Sequence, residues 1–204
     1  MSKTFLDQAY RARSPDGTRD LYDAWSETYE AELTQNGYAA PGRCAAALAA
    51  HLGDRDAPIL DFGCGTGLSG LALRAEGFTT VDGLDLSARM LEAAKDKGVY
   101  RQLRQAEPGA GPDHAEGEYA AVTAVGVIGV GAAPLSTIDA LMARLAPGGF
   151  LVLSFNDRAL ANPAHEAKLQ EWTASPKARM VFEEHGPHIP GIGIGAKVYV
   201  IEKL

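Results

Sequence analysis

Along the chain, two periods of hydrophobic and polar positions take turns. From Thr18 onward, Leu21, Tyr22, Trp25, Tyr29 and Leu33 recur at three- and four-residue steps. This spacing predicts an amphipathic helix, and Asn36-Gly37 ends it. Pro41 opens a second helix with Cys44, Leu48 and Leu52 on one face and Gly53 as its stop. Short apolar runs then take over. Residues 59–62, 79–84, 100–105, 119–125 and 150–155 read as strands. Residues 68–75, 87–97 and 134–145 between them carry helical spacing. Ser87 is a candidate cap, and Met90, Leu91 and Ala94 form the stripe of its helix. Residues 157–175 read as a helix broken at Asn162-Pro163. Residues 1–17 read as a polar arm ending in a turn, and residues 108–117 as a loop. The last two strands, 179–183 and 197–202, are joined by a Gly/Pro-rich loop over 186–195 that no helix fits. They are therefore expected to be antiparallel neighbours.

Strand–helix alternation predicts an α/β fold: a Rossmann-like, doubly wound sheet of about seven strands. It should be mostly parallel, with an antiparallel C-terminal hairpin. A single domain is expected, with residues 1–53 as a helical arm or lid and 54–204 as the core. Composition narrows the function. The 204 residues carry a net charge of −7, with 46% hydrophobic and 22% charged residues. That balance excludes wholesale disorder. It argues against a nucleic-acid partner, which would need a basic footprint. The apolar runs are too short to span a bilayer, so no membrane partner is expected. Two cysteines, Cys44 and Cys64, supply no zinc site, and no metal is expected. The N-terminus lacks an apolar run, so a cytoplasmic location with reduced thiols is the expectation.

The 23 glycines concentrate where chemistry is expected. Asp61-Phe62-Gly63-Cys64-Gly65-Thr66-Gly67 lies between a predicted strand and a predicted helix. Glycines there allow a tight turn and close approach of a ligand to the main chain. Asp85 ends the second predicted strand, eighteen residues after Gly67. A carboxylate at that place can accept both hydroxyls of a ribose. The pair implies a nucleoside at the C-terminal edge of the sheet. Gly65, Gly67 and Gly70 also fit the dinucleotide spacing, which keeps an NAD(P)-dependent oxidoreductase open. No lysine follows the glycines, so the P-loop pattern fails.

The segment 59–67 resembles the first motif of class I S-adenosylmethionine-dependent methyltransferases: an apolar pair, an acid, then G-x-G-x-G. Asp61 is the discriminating residue, because a carboxylate suits a sulfonium and an ammonium better than a pyrophosphate. Residues 81–87 resemble the family's second-strand motif, with Asp85 as the ribose acid. Residues 87–94 match the helix that follows it, where Met90 packs beside the adenosine. Residues 145–149 match the turn before the fifth strand. The resemblance covers roughly residues 57–156. It implies S-adenosyl-L-methionine as cofactor and S-adenosyl-L-homocysteine as product. It further implies cofactor contacts from Gly63, Cys64, Gly65, Thr66 and Gly67, from Leu86 and Ser87, and from Val125, Gly126 and Val127. Two positions depart from the pattern. Ala106-Glu107 stands where an adenine-reading acid or amide is common. Residues 123–131 hold no acid, amide or Pro-Pro-Tyr, which counts against DNA adenine methylation and fits a small-molecule acceptor.

The helix with Tyr22, Trp25 and Tyr29 also resembles a segment found in methyltransferase-like proteins of the type from the Williams–Beuren syndrome region. Its aromatics either wall the cofactor pocket or are core. Asp23 and Glu27 read as solvated. A catalytic base is not evident. Asn156, His185 and His188 are the candidates, with Asp157, His165 and Glu166 behind them. His51 and His114 read as surface residues. Cys64 reads as a small residue of the turn and Cys44 as core. The short segment 157–178 leaves room for a small acceptor at an open site. The expected protein is a methyltransferase acting on a small molecule, as a monomer or homodimer. A cofactor-binding, non-catalytic or regulatory relative is the alternative.

Overall fold

A computed structural model describes residues 15–107, 112–129 and 132–204. Of the polar arm and turn expected over 1–17, residues 15–17 are the first turn of a helix; residues 1–14, the first part of the 108–117 loop and Val130-Gly131 lie outside the described residues. So does the side chain of Glu27. Helix α1 (Pro15–Gln35) ends at Gly37, whose φ of 73° turns the chain toward α2 (Ala40–Ala49). Strand β1 (Ile59–Phe62), α3 (Leu68–Ala75), β2 (Val81–Asp85), α4 (Ala88–Asp96) and β3 (Gln102–Gln105) follow. Strand β4 (Ala121–Val125), α5 (Ser136–Arg144) and β5 (Phe150–Asn156) complete the parallel part. Helices α6 (Asp157–Leu160) and α7 (Ala164–Thr173) flank the expected break at Pro163. Strands β6 (Ala178–Ile189) and β7 (Ile194–Lys203) close the chain.

The seven strands form one sheet in the order β3-β2-β1-β4-β5-β7-β6. β1 to β5 are parallel, and β7 runs antiparallel to both β5 and β6. The order reverses between β1 and β4, the switch point at which ligands bind in open α/β sheets. Period-2 side-chain direction loads both faces of the sheet with core. Leu60, Val122 and Leu151 bury toward α5 and α7, where Ile138, Leu141, Met142 and Leu169 meet them. Their neighbours Ile59, Ala121 and Val152 bury toward the other face, against Cys44 and Leu48 of α2, Leu73 of α3 and Phe78. Residues 40–49 are thus built into the sheet packing.

The hairpin differs from the sequence reading. The segment expected as a loop over 186–195 is mostly strand: Gly186 pairs with Ala196 and Pro187 with Gly195. Only the short 3₁₀ turn Pro190–Ile192 and Gly193 separate the two strands. Pro187 fits because β6 is the sheet edge, where a missing N–H costs no ladder bond. His114, expected on the surface, is buried. It packs edge-on against Tyr119 at 5.2 Å, and its carbonyl accepts a hydrogen bond from Arg144 at the end of α5. Asp23, expected in solvent, accepts a hydrogen bond from the Ser87 hydroxyl instead. That bond and the Lys97–Glu30 ion pair tie α1 to α4.

Candidate functional site

The glycine loop is organised from beneath. Asp61 is fully buried and faces away from solvent. Its carboxylate accepts hydrogen bonds from the Ser69 hydroxyl (2.5 Å), the Tyr100 hydroxyl (2.7 Å) and the Thr123 hydroxyl (2.9 Å). Burial raises its pKa, and those three donors hold the rise in check. The structure therefore places Asp61 as the anchor of the loop, outside the cavity lining. Tyr100 also accepts from the Gly70 N–H at 3.1 Å. A Cβ on Gly70 would lie 2.4 Å from that phenol. Gly70 thus makes room for Tyr100.

Above this support the loop turns sharply. Gly63 has φ 71°, and a Cβ there would lie 2.2 Å from Val127 Cγ2. Gly65 has φ 53° with open space beyond it. Cys64 is buried beneath the turn, and burial raises its thiol pKa. Thr66 is buried as well, and its hydroxyl has no hydrogen-bond partner among the described residues. Gly67, at φ 93°, starts α3 against Tyr100 and Lys97.

A cavity of about 300 Å³ opens at the C-terminal ends of β1, β2 and β4. Gly63 and Gly65 form its floor, and Val125, Gly126 and Val127 one side. Leu86, Met90 and Ala106 supply an apolar wall, with Ser87 beside them. Asp85 sits among these residues. Its Oδ2 accepts from the Gly65 N–H (2.8 Å) and its Oδ1 from the Ser87 N–H (2.9 Å). Each oxygen keeps a further lone pair for a ligand hydroxyl. Burial raises the Asp85 pKa, and the Ser87 and Gly65 N–H bonds oppose that rise. Ser87 caps α4 by accepting from the Met90 N–H at 3.1 Å. Glu107 is exposed and does not line the cavity.

A second cavity, of about 200 Å³, adjoins the first. Tyr22, Tyr29, Tyr38 and Gly126 line both. Trp25 is buried and lines only the smaller one, stacked 5.9 Å from Tyr22 and edge-on to Tyr29 at 4.7 Å. The aromatic stripe of α1 is therefore wall and core together. Asn156 and His188 line the smaller cavity. The Asn156 side chain is engaged in capping α6, accepting from the Ala159 N–H. His185 lies outside both cavities, half exposed, with Nε2 2.8 Å from Asp157 Oδ1. Glu166 pairs with Lys197 and Tyr199 on the far side. His165 is buried against Phe155.

Sequence reasoning missed Tyr38, whose only local signal is its place between two helices. It also missed Tyr100, and the Pro134, Ser136 and Thr137 edge of the larger cavity. Among the described residues no cluster of three or more His, Cys, Asp or Glu is placed to hold a metal ion. No helix among them is long and apolar enough to cross a membrane.

A family model described as a methyltransferase domain matches residues 36–191. The chain is 35% identical over 153 residues to methyltransferase-like protein 27 of Homo sapiens, covering 71% of this chain and 62% of that protein. It is 36% identical over 108 residues to the ubiquinone biosynthesis O-methyltransferase of Marinobacter nauticus, covering 48% of this chain and 44% of that one. The chain thus spans less than two thirds of the length of these curated relatives. Among solved structures, magnesium protoporphyrin IX methyltransferase from Synechocystis PCC 6803 with bound SAH superposes with a TM-score of 0.70 at 14% identity, covering 94% of this chain and 100% of that one. The [4+2]-cyclase SpnF superposes with a TM-score of 0.69 at 12% identity, covering 95% and 98%. At these identities the two structures show a common fold.

Proposed function

The chain belongs to the methyltransferase-domain family, and from that premise we propose that it moves a methyl group from S-adenosyl-L-methionine to a small organic acceptor. The observation that carries this reading is Asp85, set on the floor of the larger cavity between Gly65 and Ser87 with a free lone pair on each oxygen. A ribose diol fits that acceptor pair. The wall of Leu86, Met90 and Ala106 fits an adenine face. The open space at Gly65 leaves room for the rest of the nucleoside. When bound, the cofactor supplies a methyl carbon already activated by its sulfonium.

The protein's part is then mainly placement. Gly126 and the tyrosines of α1 border both cavities. A molecule in the smaller cavity therefore lies next to one in the larger, and holding two reactants at contact distance lowers much of the barrier to displacement. The small volume of the second cavity favours a small acceptor. SpnF, a cyclase on this fold, is the reason to test binding and transfer separately.

Isothermal titration with S-adenosyl-L-methionine and S-adenosyl-L-homocysteine comes first, then a labelled-methyl assay over a metabolite library. Tight binding of both ligands and transfer to a small acceptor is the expected result. Binding without any transfer would favour the non-catalytic reading. If neither ligand binds at millimolar concentration, the proposal is wrong.

A further inference from the structure

The smaller cavity has a feature that its role as neighbour to the cofactor does not require. β6 and β7 pair Pro187 with Gly195 and Ile189 with Ile194. Two residues of β6 therefore oppose one step of β7, and His188 is the extra residue of a β-bulge. Bulges re-aim a side chain out of the regular alternation. Here the bulge turns His188 into the cavity, edge-on to Tyr38 at a ring distance of 5.2 Å. The backbone is held on either side. The His188 carbonyl accepts from the Ala39 N–H (2.8 Å), and the Pro187 carbonyl accepts from Arg43 Nη1 (3.1 Å). His188 is 4% exposed, and Nδ1 has no hydrogen-bond partner among the described residues. A buried imidazole left short of partners is costly unless a ligand completes it.

We infer that the smaller cavity is the acceptor site, that His188 takes the proton of the acceptor's nucleophile, and that the acceptor is a single-ring compound bearing an acidic hydroxyl, a phenol or an enol. This rests on the methyltransferase reading above. The ring size follows from volume and walls. An apolar cavity of about 150 Å³ holds a benzene molecule, and this one is about 200 Å³ with Tyr22, Trp25, Tyr29 and Tyr38 around it. Aromatic walls of this kind favour a flat, polarisable guest.

The acidity follows from the base. Burial pushes the His188 pKa down to about 4, so the ring is neutral at any ordinary working pH and free to accept a proton. The same burial makes it a weak base. A base weakened in this way favours a hydroxyl as acidic as a phenol, near 10, over an alkyl hydroxyl with an acidity near that of water at about 15.7. Asp157 and Arg43 are the charged groups that act on the ring, with opposite effects.

The balance is complete. The acceptor's O–H bond breaks, and its proton passes to a ring nitrogen of His188. The oxygen's electron pair forms the new O–CH3 bond. The pair of the S–CH3 bond returns to sulfur, leaving a neutral thioether, and the imidazolium then releases the proton to solvent.

The test uses the full chain with S-adenosyl-L-methionine and two groups of probes. One group is phenols of graded acidity, from phenol to 4-nitrophenol. The other is ring amines and benzyl alcohol. Methylation of the phenols, with His188→Gln losing about 100-fold or more in kcat on phenol but less than about fivefold on the already ionised 4-nitrophenol, is the expected pattern. Added imidazole should restore part of the phenol rate in His188→Ala. The 4-nitrophenol rate within the same variant, together with its melting temperature, separates lost proton transfer from lost folding. Equal losses on both phenols would make His188 a structural residue and overturn the base role. Cofactor binding with transfer only to amines or alkyl hydroxyls, or to no probe, would overturn this inference and leave the proposed function standing. Failure of the cofactor to bind would overturn both.

Discussion

Replacing Asp85 by alanine removes two kinds of bond at once, and the structure allows them to be counted separately. In the free protein the carboxylate holds the Gly65 N–H at 2.8 Å and the Ser87 N–H at 2.9 Å. Losing it leaves two backbone donors in a half-buried place, at a cost to folding of about 1–3 kcal/mol. In the complex the same carboxylate accepts two ribose hydroxyls. Bonds to a charged acceptor are worth about 1.5–3 kcal/mol each, and water entering the vacated space returns part of that. The expected loss of S-adenosyl-L-homocysteine affinity is about 2–4 kcal/mol, roughly 30- to 1000-fold in Kd.

Titration calorimetry reads the affinity, and urea unfolding of the free protein reads the folding cost. The pH dependence supplies a second check. Burial raises the Asp85 pKa in the free protein. Ribose donors favour the ionised form, so the complex has a lower value than the free protein. Affinity should therefore fall as pH drops through the raised free-protein value, and level off above it. The alanine variant should show no such step. In folding the sign is the reverse of a stabilising carboxylate. Stability linked to the raised value is full below the unfolded pKa and is lost as pH rises through the folded one. An alanine variant that binds within about threefold of the parent, whatever its stability, would show that the ribose lies elsewhere.

Three further outcomes follow from other parts of the site. Gly63→Ala combines a left-handed backbone, about 1–2 kcal/mol, with overlap on Val127, about 1–3 kcal/mol; unchanged urea unfolding would contradict the turn geometry. Burial pushes the Cys44 thiol up to about 12 and raises Cys64 too. A thiol reagent at pH 8 should therefore label neither residue in the native protein and both after denaturation, and rapid native labelling of either would refute their burial. Arg101→Ala strips the guanidinium that meets buried Asp82 at 2.9 and 2.6 Å, leaving the Tyr119 hydroxyl. Because Arg101 is half exposed, the expected loss is about 1–3 kcal/mol, below that of a fully buried pair. Burial would raise the Asp82 pKa, but the Arg101 and Tyr119 hydrogen bonds outweigh it and hold the value below the usual carboxylate range. The stabilisation is thus present above the unfolded pKa and fades as pH falls through the folded one. Acid unfolding of the variant should accordingly show a shallower pH dependence than the parent, and an identical acid limb would refute the assignment.

Most elements were legible because their signals are local. The helix of Ser87 is announced by its own cap and stripe, and the turn at 63–67 by its glycines. Asp85 was legible for the same reason, since it ends a strand a fixed distance beyond the turn. Asp61 was read as facing a ligand, and its position beneath the loop was not legible because its partners are remote. Ser69 is near in sequence, but Tyr100 and Thr123 belong to other strand–helix units. Nothing local says whether a carboxylate at the end of a strand faces a ligand or three hydroxyls. The hairpin was misread because glycine and proline weigh against strand locally. Pairing with β7 and the edge position override that preference.

By itself, then, the sequence determined the alternation of strands and helices, the glycine turn and the acidic residue beyond it. Each depends on backbone preferences and side-chain periods within a few residues. Only the tertiary structure decided which of those residues meet. It drew Asp61 beneath the loop, set Tyr38 across two cavities, and bulged His188 out of an edge strand toward the aromatics of α1. Those placements depend on pairing register and packing between segments up to 166 residues apart, from Tyr22 to His188. No local preference encodes such a distance.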